Sequence, residues 1–273
     1  MHNRLVLIAT LGLSALLLAA CTMPPSPAEV QQLLRRSSGN DAFVVERVFP
    51  DATGLYGVVF RVGTTGHGFA WVTPDGKAVI PGAVIDADQQ DLTKFAEVQE
   101  GLRTSPIQLW NYAAAPAARG FTLGARGPLL TAFVDPNCPF CHLLYENLQP
   151  GIAKGQLRVR YVLVGIIRPN SAARAASLLA APDLAQAIAQ NEAGFDAPSE
   201  QGAYPIAPAS IYARYLPTID ANNDALQRAG SSSTPTLVYC DKATRQMVLR
   251  PGSAPLAELL QDMAAPTACG MKS

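Results

Sequence analysis

Residues 129–142 read LLTAFVDPNCPFCH, and this stretch decides the fold. Leu129 to Val134 form an unbroken apolar run, as expected of a strand buried on both faces. Asp135-Pro136-Asn137 ends the run, and HLLYENLQPG (142–151) then predicts a short helix closing near Pro150-Gly151. Cys138-Pro139-Phe140-Cys141 therefore sits between a buried strand and a helix start. A thiol at a helix N-terminus has its thiolate stabilised by unpaired backbone N–H groups and the positive end of the helix dipole. Cys141, one turn later on the same side, is close enough to close a small disulfide. A lowered thiol pKa both populates the thiolate at neutral pH and makes it a better leaving group, which thiol–disulfide exchange requires.

Three other readings of the cysteine pair compete with redox chemistry. A structural CxxC disulfide fits poorly between a strand and a helix start. A zinc site needs a second ligand pair, and Cys240 with Cys269 is not another CxxC. Cys138 to His142 also matches the CxxCH pattern of covalent haem attachment, but the flanking strands do not suit the helical domain that such haem requires. The three histidines (His2, His67 and His142) include no ligand-spaced pair, so neither a metal nor another cofactor is expected.

Working outward, LRVRYVLVGI (157–166) predicts a second strand and the Ala-rich residues 171–192 a helix. The region to Gly230 reads as helical with proline interruptions. TLVYC (236–240) and QMVLR (246–250) are strands, and APLAELLQDMA (254–264) is a closing helix. The order βαβ, helical insert, ββα is a thioredoxin-like arrangement, so the fold class is α+β. Thr234-Pro235 falls about a hundred residues after the cysteines and just before a strand. Proteins of that arrangement place a cis-proline loop there, beside the redox pair, where it serves substrate backbone; an ordinary trans turn is the alternative.

Upstream, FVVERVF, LYGVVFRV, HGFAWVT and KAVIPGAVI (between 43 and 85) are strand-like and separated by turn signals such as Thr73-Pro74-Asp75-Gly76. They predict a small domain over 41–90, poorly able to stand alone, for which edge-strand dimerisation is one remedy. Residues 91–126 read as a linker helix, with Asp91 as N-cap and Pro106 and Pro116 as breaks, and 127–273 as the redox domain with its insert at about 170–230. Residues 1–20 carry Arg4 and a 16-residue apolar run, too short for an ordinary membrane span but suited to an export signal. Leu18-Ala19-Ala20-Cys21 resembles the lipobox of bacterial lipoproteins, which makes Cys21 a lipidation site; a plain signal peptide is the other reading. Thr22 in place of Asp favours the outer membrane, and 21–40 reads as a Pro-rich tether. Basic and acidic residues both number 21, which argues against a nucleic-acid partner. Outside the cytoplasm the remaining cysteines default to disulfide chemistry.

VDPNCPFC, YVLVGIIRPNSAARAASLL and SSTPTLVY, with a weaker match in WVTPDGKAVIPGAVIDADQQDLT, resemble the DsbC/DsbG family of periplasmic thiol:disulfide interchange proteins, closer to its DsbG side. The resemblance implies a homodimer joined by cystatin-like N-terminal domains, each arm carrying a thioredoxin-like catalytic domain. It implies isomerase or reductase activity on exported cysteine-containing proteins, chaperoning, and reduction by a DsbD-type membrane protein. Carried over, Cys138 attacks, Cys141 resolves, and Thr234 and Pro235 face the substrate with Pro139 and Phe140. Three departures stand out. The lipobox is unusual for the family. The strand LLTAFV lacks the buried acid that thioredoxin uses as proton acceptor, and nearby Asp135 is not assigned that role. Cys240 and Cys269 lie outside the shared pattern. A structural disulfide between them would pin the C-terminal tail and contribute about 3–4 kcal/mol in the chain-entropy model, while a second redox pair is the alternative.

The sequence thus points to a periplasmic, lipid-anchored thiol:disulfide interchange enzyme. A dithiol oxidase and a non-enzymatic envelope chaperone or scaffold are the alternatives.

Overall fold

The computed structural model describes residues 24–63 and 66–271. The expected export signal at 1–20 and the lipidation site Cys21 lie outside the described residues. The chain divides into two compact units, Met1–Ala96 and Glu97–Ser273.

The first unit holds α1 (Pro27–Ser38) and an antiparallel meander of β1 (Phe43–Pro50), β2 (Tyr56–Val62), β3 (Gly66–Val72) and β4 (Val79–Ile80). Helix α1 corrects the tether expected at 21–40. Ser26 and Glu29 form a capping box, Pro27 occupies the first turn, and Val30 and Leu34 are buried against Val58 and Val72. The prolines at 24, 25 and 27 mask a helix start that the Ser-x-x-Glu spacing marks. The fourth strand is shorter than KAVIPGAVI suggests: only Val79 and Ile80 pair, with Val72 and Trp71, before Pro81 ends the ladder. Helix α2 (Leu92–Gln99) starts where expected, with Asp91 Oδ1 accepting from Lys94 N at 3.0 Å.

The second unit is built on a five-stranded sheet ordered β5-β7-β6-β8-β9. Its strands are β5 (Phe121–Leu123), β6 (Leu129–Val134), β7 (Arg158–Leu163), β8 (Thr236–Cys240) and β9 (Met247–Pro251). Strand β6 runs parallel to β7 and antiparallel to β8, and all six of its residues are buried. The apolar run is continuous because each face has its own core. Leu130, Ala132 and Val134 join one cluster, whereas Leu129 and Phe133 join the other.

The segment 91–126 is more than a linker. Helix α3 (Pro106–Ala114) buries Leu109, Trp110 and Ala113 in the second core, and β5 pairs with β7, so this unit starts before residue 127. Proline breaks at 106 and 116 end helical periodicity but do not prevent the intervening face from meeting a sheet. Helix α4 (Pro139–Ala153) also outruns its expected end, continuing past Pro150, with Leu144, Leu148 and Gly151 buried. The insert comprises α5 (Ser171–Leu179), α6 (Leu184–Ala193), α7 (Ala209–Tyr212) and α8 (Leu216–Arg228), and α9 (Leu256–Asp262) closes the unit. A disulfide joins Cys240, the last residue of β8, to Cys269.

Candidate active site

Cys138 is the N-cap of α4, with extended backbone at φ −90° and ψ 119°. Pro139 occupies the first helical turn, where its missing N–H costs nothing. The backbone N–H of Cys141 donates to the Cys138 carbonyl at 3.0 Å, so the helix begins at Cys138 itself. Cys138 and Cys141 are both free thiols and both buried. The Thr234-Pro235 bond is cis, and it brings the Thr234 carbonyl within 3.2 Å of Cys138 Sγ. Residues 96 positions apart in sequence thus flank one sulfur.

The two thiols are driven apart in acidity. Cys138 is lowered from 9.0 to about 7, chiefly by the hydrogen bond from the Cys141 thiol, against the opposing effect of burial. The Thr234 side chain and the N–H groups of Cys141 and Phe140 lower it further. Thr234 Oγ1 is buried without another partner, so its hydroxyl is free to serve a Cys138 thiolate. Burial pushes Cys141 well above its ordinary value, and the neighbouring Cys138 sulfur raises it again. The pair therefore holds one nucleophile ready near neutral pH and one proton-bearing thiol behind it. In the first turns of α4 after Cys138, Phe140 and Leu143 are 61% and 54% exposed and form an apolar surface.

The loop ahead of Cys138 is fixed by polar groups with little sequence signature. Asp135, buried, accepts from four donors: Asn137 N and Ser171 Oγ on Oδ1, and Ile166 N and Ile167 N on Oδ2, at 2.7–2.9 Å. Burial raises its pKa and the donors pull against that rise. Asn137 binds Asn170 Oδ1 and Ser171 Oγ through Nδ2 and accepts from Gly202 N. Asn191 of α6 donates to the Pro136 carbonyl at 3.0 Å. These contacts button the helical insert to the redox loop. Two glycines are required here by close approach. A Cβ on Gly165 would lie 2.4 Å from Ala172 Cα, and one on Gly202 would lie 2.1 Å from Asn191 Oδ1. The first explains the glycine of the VGII motif.

The thioredoxin-like domain family matches residues 122–265, more than half of the chain. The chain belongs to that family. Over 263 residues it is 29% identical to the thiol:disulfide interchange protein DsbG of Pseudomonas aeruginosa, covering 93% of this chain and 96% of that one. The DsbG of Escherichia coli is 26% identical over 175 residues, 63% of this chain and 67% of the relative. A disulfide interchange protein of Neisseria gonorrhoeae, a solved structure, is 21% identical, with a TM-score of 0.38, and covers 54% of this chain and 98% of its own. This thioredoxin-like protein is DsbG-like, and it is a thiol:disulfide oxidoreductase enzyme.

Of the residues singled out by sequence, Cys138, Cys141, Pro139, Phe140, Thr234 and Pro235 come together around one sulfur. Cys240 is elsewhere: it belongs to the second core, on the other face of the sheet, with Cys269 packed beside it. Among the described residues no cluster of three or more His, Cys, Asp or Glu is arranged to hold a metal. Sequence reasoning missed Asn137, Asn191 and Glu192. The last is 50 residues from His142, yet its Oε2 lies 3.0 Å from His142 Nδ1. His142 also stacks on Phe195, with ring centroids 4.5 Å apart. The one available signal was a polar Gln-Asn-Glu triplet closing an otherwise Ala-rich helix at 190–192.

Proposed function

We propose that this protein is a periplasmic disulfide isomerase and reductase of exported cysteine-containing proteins. The observation that carries the reading is the Cys138 thiolate, lowered to about 7 at the start of α4 and flanked by the cis Thr234-Pro235 loop. Cys138 attacks a non-native disulfide of the substrate and becomes linked to one of its sulfurs, while the other leaves as a thiolate. A substrate thiol then displaces Cys138, which isomerises the bond, or Cys141 displaces the substrate, which reduces it. Exposed Phe140 and Leu143 suit the apolar segments that misfolded clients present. A DsbD-type membrane protein returns the oxidised pair to the dithiol.

Further parts of this reading rest on the sequence. Cys21 takes a lipid that holds the protein at the outer membrane. The β1–β4 unit joins two chains through β1, an eight-residue edge strand whose one strand partner among the described residues is β2, and of which Arg35 and Gln31 of α1 bond backbone groups only at Phe43 and Val45.

The deciding experiment is the redox state of Cys138 and Cys141 in cells, by acid quench and alkylation. A pair found reduced, and oxidised once the membrane reductase is deleted, supports the isomerase and reductase reading. A pair held fully oxidised in both strains overturns it in favour of an oxidase or an inert scaffold.

A further inference from the structure

The two faces of β7 differ in character. Val159 and Tyr161 are buried in the core that holds the redox pair. Arg158 and Arg160 alternate with them and so point to the opposite face, where Val162 joins the second core. On that face both arginines line an open cleft of about 690 Å³, within the size range of small-molecule sites. Trp110 of α3 and Leu129 of β6 line it as well, and Pro266 and Met271, from the chain beyond α9, form its far wall.

The cleft carries positive charge that its own lining does not balance. No Asp or Glu lines it, and the contacts of the two arginines are to neutral groups. Arg158 Nε donates to the Gly127 carbonyl at 3.1 Å, and the Arg160 guanidinium lies over the Trp110 ring, 5.2 Å from its centroid. Arg160 Nη1 is buried against the protein and has no acceptor. Burial and the nearby Arg158 charge both pull the pKa of Arg160 down, so its charge is held at a cost. Thr131, paired in register with Arg160 on β6, is fully buried, and its hydroxyl also lacks a hydrogen-bond partner. This patch of the sheet offers donors and supplies no acceptor, an arrangement that an anion would stabilise.

The donor set selects among anions. A guanidinium fork matches the two coplanar oxygens of a carboxylate. Phosphate sites recruit helix N-termini or lysine, whereas no lysine lines this cleft and Trp110 lies beyond the first turn of α3. Leu129, Pro266 and Met271 suit an apolar group next to the charge, and Asn111 and Thr122 add exposed polar side chains able to meet an amide.

We propose that this cleft binds a carboxylate carried on an apolar stem, a small organic acid or the last residue of a peptide, with the carboxylate accepting from Arg158 and Arg160. The Cys240–Cys269 disulfide builds the far wall, because it ties the turn Pro266–Cys269, which leads into Met271, to the end of β8. The second cysteine pair thus serves binding and takes no part in exchange. The ligand sits across the sheet from Cys138 and does not touch the exchange site.

The test is calorimetric titration of the full chain, disulfide intact, with N-acetyl-leucine and with N-acetyl-leucinamide, which lacks the carboxylate. The acid is expected to fill one saturable site with a millimolar Kd, and the amide none. Arg160→Gln and Arg158→Gln each weaken binding by about tenfold or more, the effect of losing one charged hydrogen bond, and leave exchange by Cys138 unchanged. Cys240→Ala with Cys269→Ala weakens binding as well, by releasing the far wall. In nitrogen-detected NMR the acid moves the indole N–H signal of Trp110 and leaves that of Trp71 in place. A tetrapeptide ending in leucine that binds more tightly than N-acetyl-leucine identifies peptide ends as the source, and equal affinity identifies small acids. Absence of saturable binding, equal binding of the amide, or tighter binding of inorganic phosphate overturns the proposal. Unchanged affinity in the arginine variants overturns it too, and Arg158→Gln with the Trp110 signal decides the matter if Arg160→Gln does not fold. Unchanged affinity in the cysteine variant overturns the part assigned to the disulfide.

Discussion

The second unit contains two cysteine pairs on opposite faces of one sheet, and their surroundings differ in every respect that governs sulfur chemistry. Strand β8 connects them. It begins at Thr236, directly after the cis Thr234-Pro235 bond that flanks Cys138, and ends at Cys240, which is bonded to Cys269. Leu237 and Tyr239 point into the core that holds Cys138 and Cys141, whereas Val238 and Cys240 point into the other. Cys138 is ringed by donors: the Cys141 thiol, the Thr234 hydroxyl and helix N–H groups. Cys240 Sγ is bonded to Cys269 and so carries no proton, and the Asp241 carbonyl oxygen stands 4.0 Å from it. Burial alone therefore does not set the role of a cysteine, since Cys138 and Cys240 are 3% and 0% exposed. What separates them is the presence or absence of groups that stabilise a thiolate.

The sharpest way to break that comparison is to remove one sulfur from each pair. Cys138→Ser is expected to reduce disulfide exchange on a scrambled protein substrate to background, while Cys240→Ala with Cys269→Ala retains wild-type turnover at a temperature where it stays folded. Loss of turnover in the double variant would make the second pair a redox participant.

Stability should respond in the opposite sense. The double variant is expected to lose about 3–4 kcal/mol in denaturant unfolding, the chain-entropy value for this loop. Cys138→Ser should change stability far less, because the redox pair is free in the reduced protein. Equal losses would erase the distinction.

The pH dependence separates the pairs next. Cys138 has its pKa depressed on folding, so its contribution to the stability of the reduced protein is present above about pH 9 and is lost as pH falls through about 7. Cys141 is raised, so its contribution is present below that range and lost only at higher pH. The melting temperature of reduced protein relative to oxidised protein should therefore increase from pH 6 to pH 8.5. A flat difference would mean that Cys138 has an ordinary thiol pKa. Cys240 and Cys269, being bonded, add nothing to this profile.

The smallest effect concerns a single donor. Thr234→Val removes the hydroxyl beside Cys138 and is expected to raise its pKa by about one unit, the equivalent of one hydrogen bond to a charged group. Thiolate absorbance against pH reads it, and an unmoved midpoint would assign the lowered pKa to the helix start and Cys141 alone.

Several elements of this molecule were legible locally. LLTAFV followed by CPFC specified a strand, a turn and a thiol at a helix start, because buried strands and helix N-termini leave short-range patterns. Thr234-Pro235 was legible in another way, by its place in the thioredoxin-like order about a hundred residues after the cysteines and just ahead of TLVYC. Other elements were hidden by their own composition. The prolines at 24, 25 and 27 suggested an extended tether, yet Ser26 and Glu29 cap a helix whose Val30 and Leu34 are buried. The prolines at 106 and 116 suggested a broken linker, yet Leu109 and Trp110 of α3 lie in a core.

The sequence by itself determined the redox chemistry, the order of the strands from β6 to β9, and the family to which the chain belongs. Only the tertiary structure decided which polar groups serve the cysteines. Asp135 became a brace because Ile166, Ile167 and Ser171, more than thirty positions away, aim donors at it. Glu192 became a partner of His142, fifty positions away, because α6 carries it against the start of α4. Periodicity reports which face of an element is buried, but a buried carboxylate takes its role from the donors and spaces around it, and those arrive from distant segments.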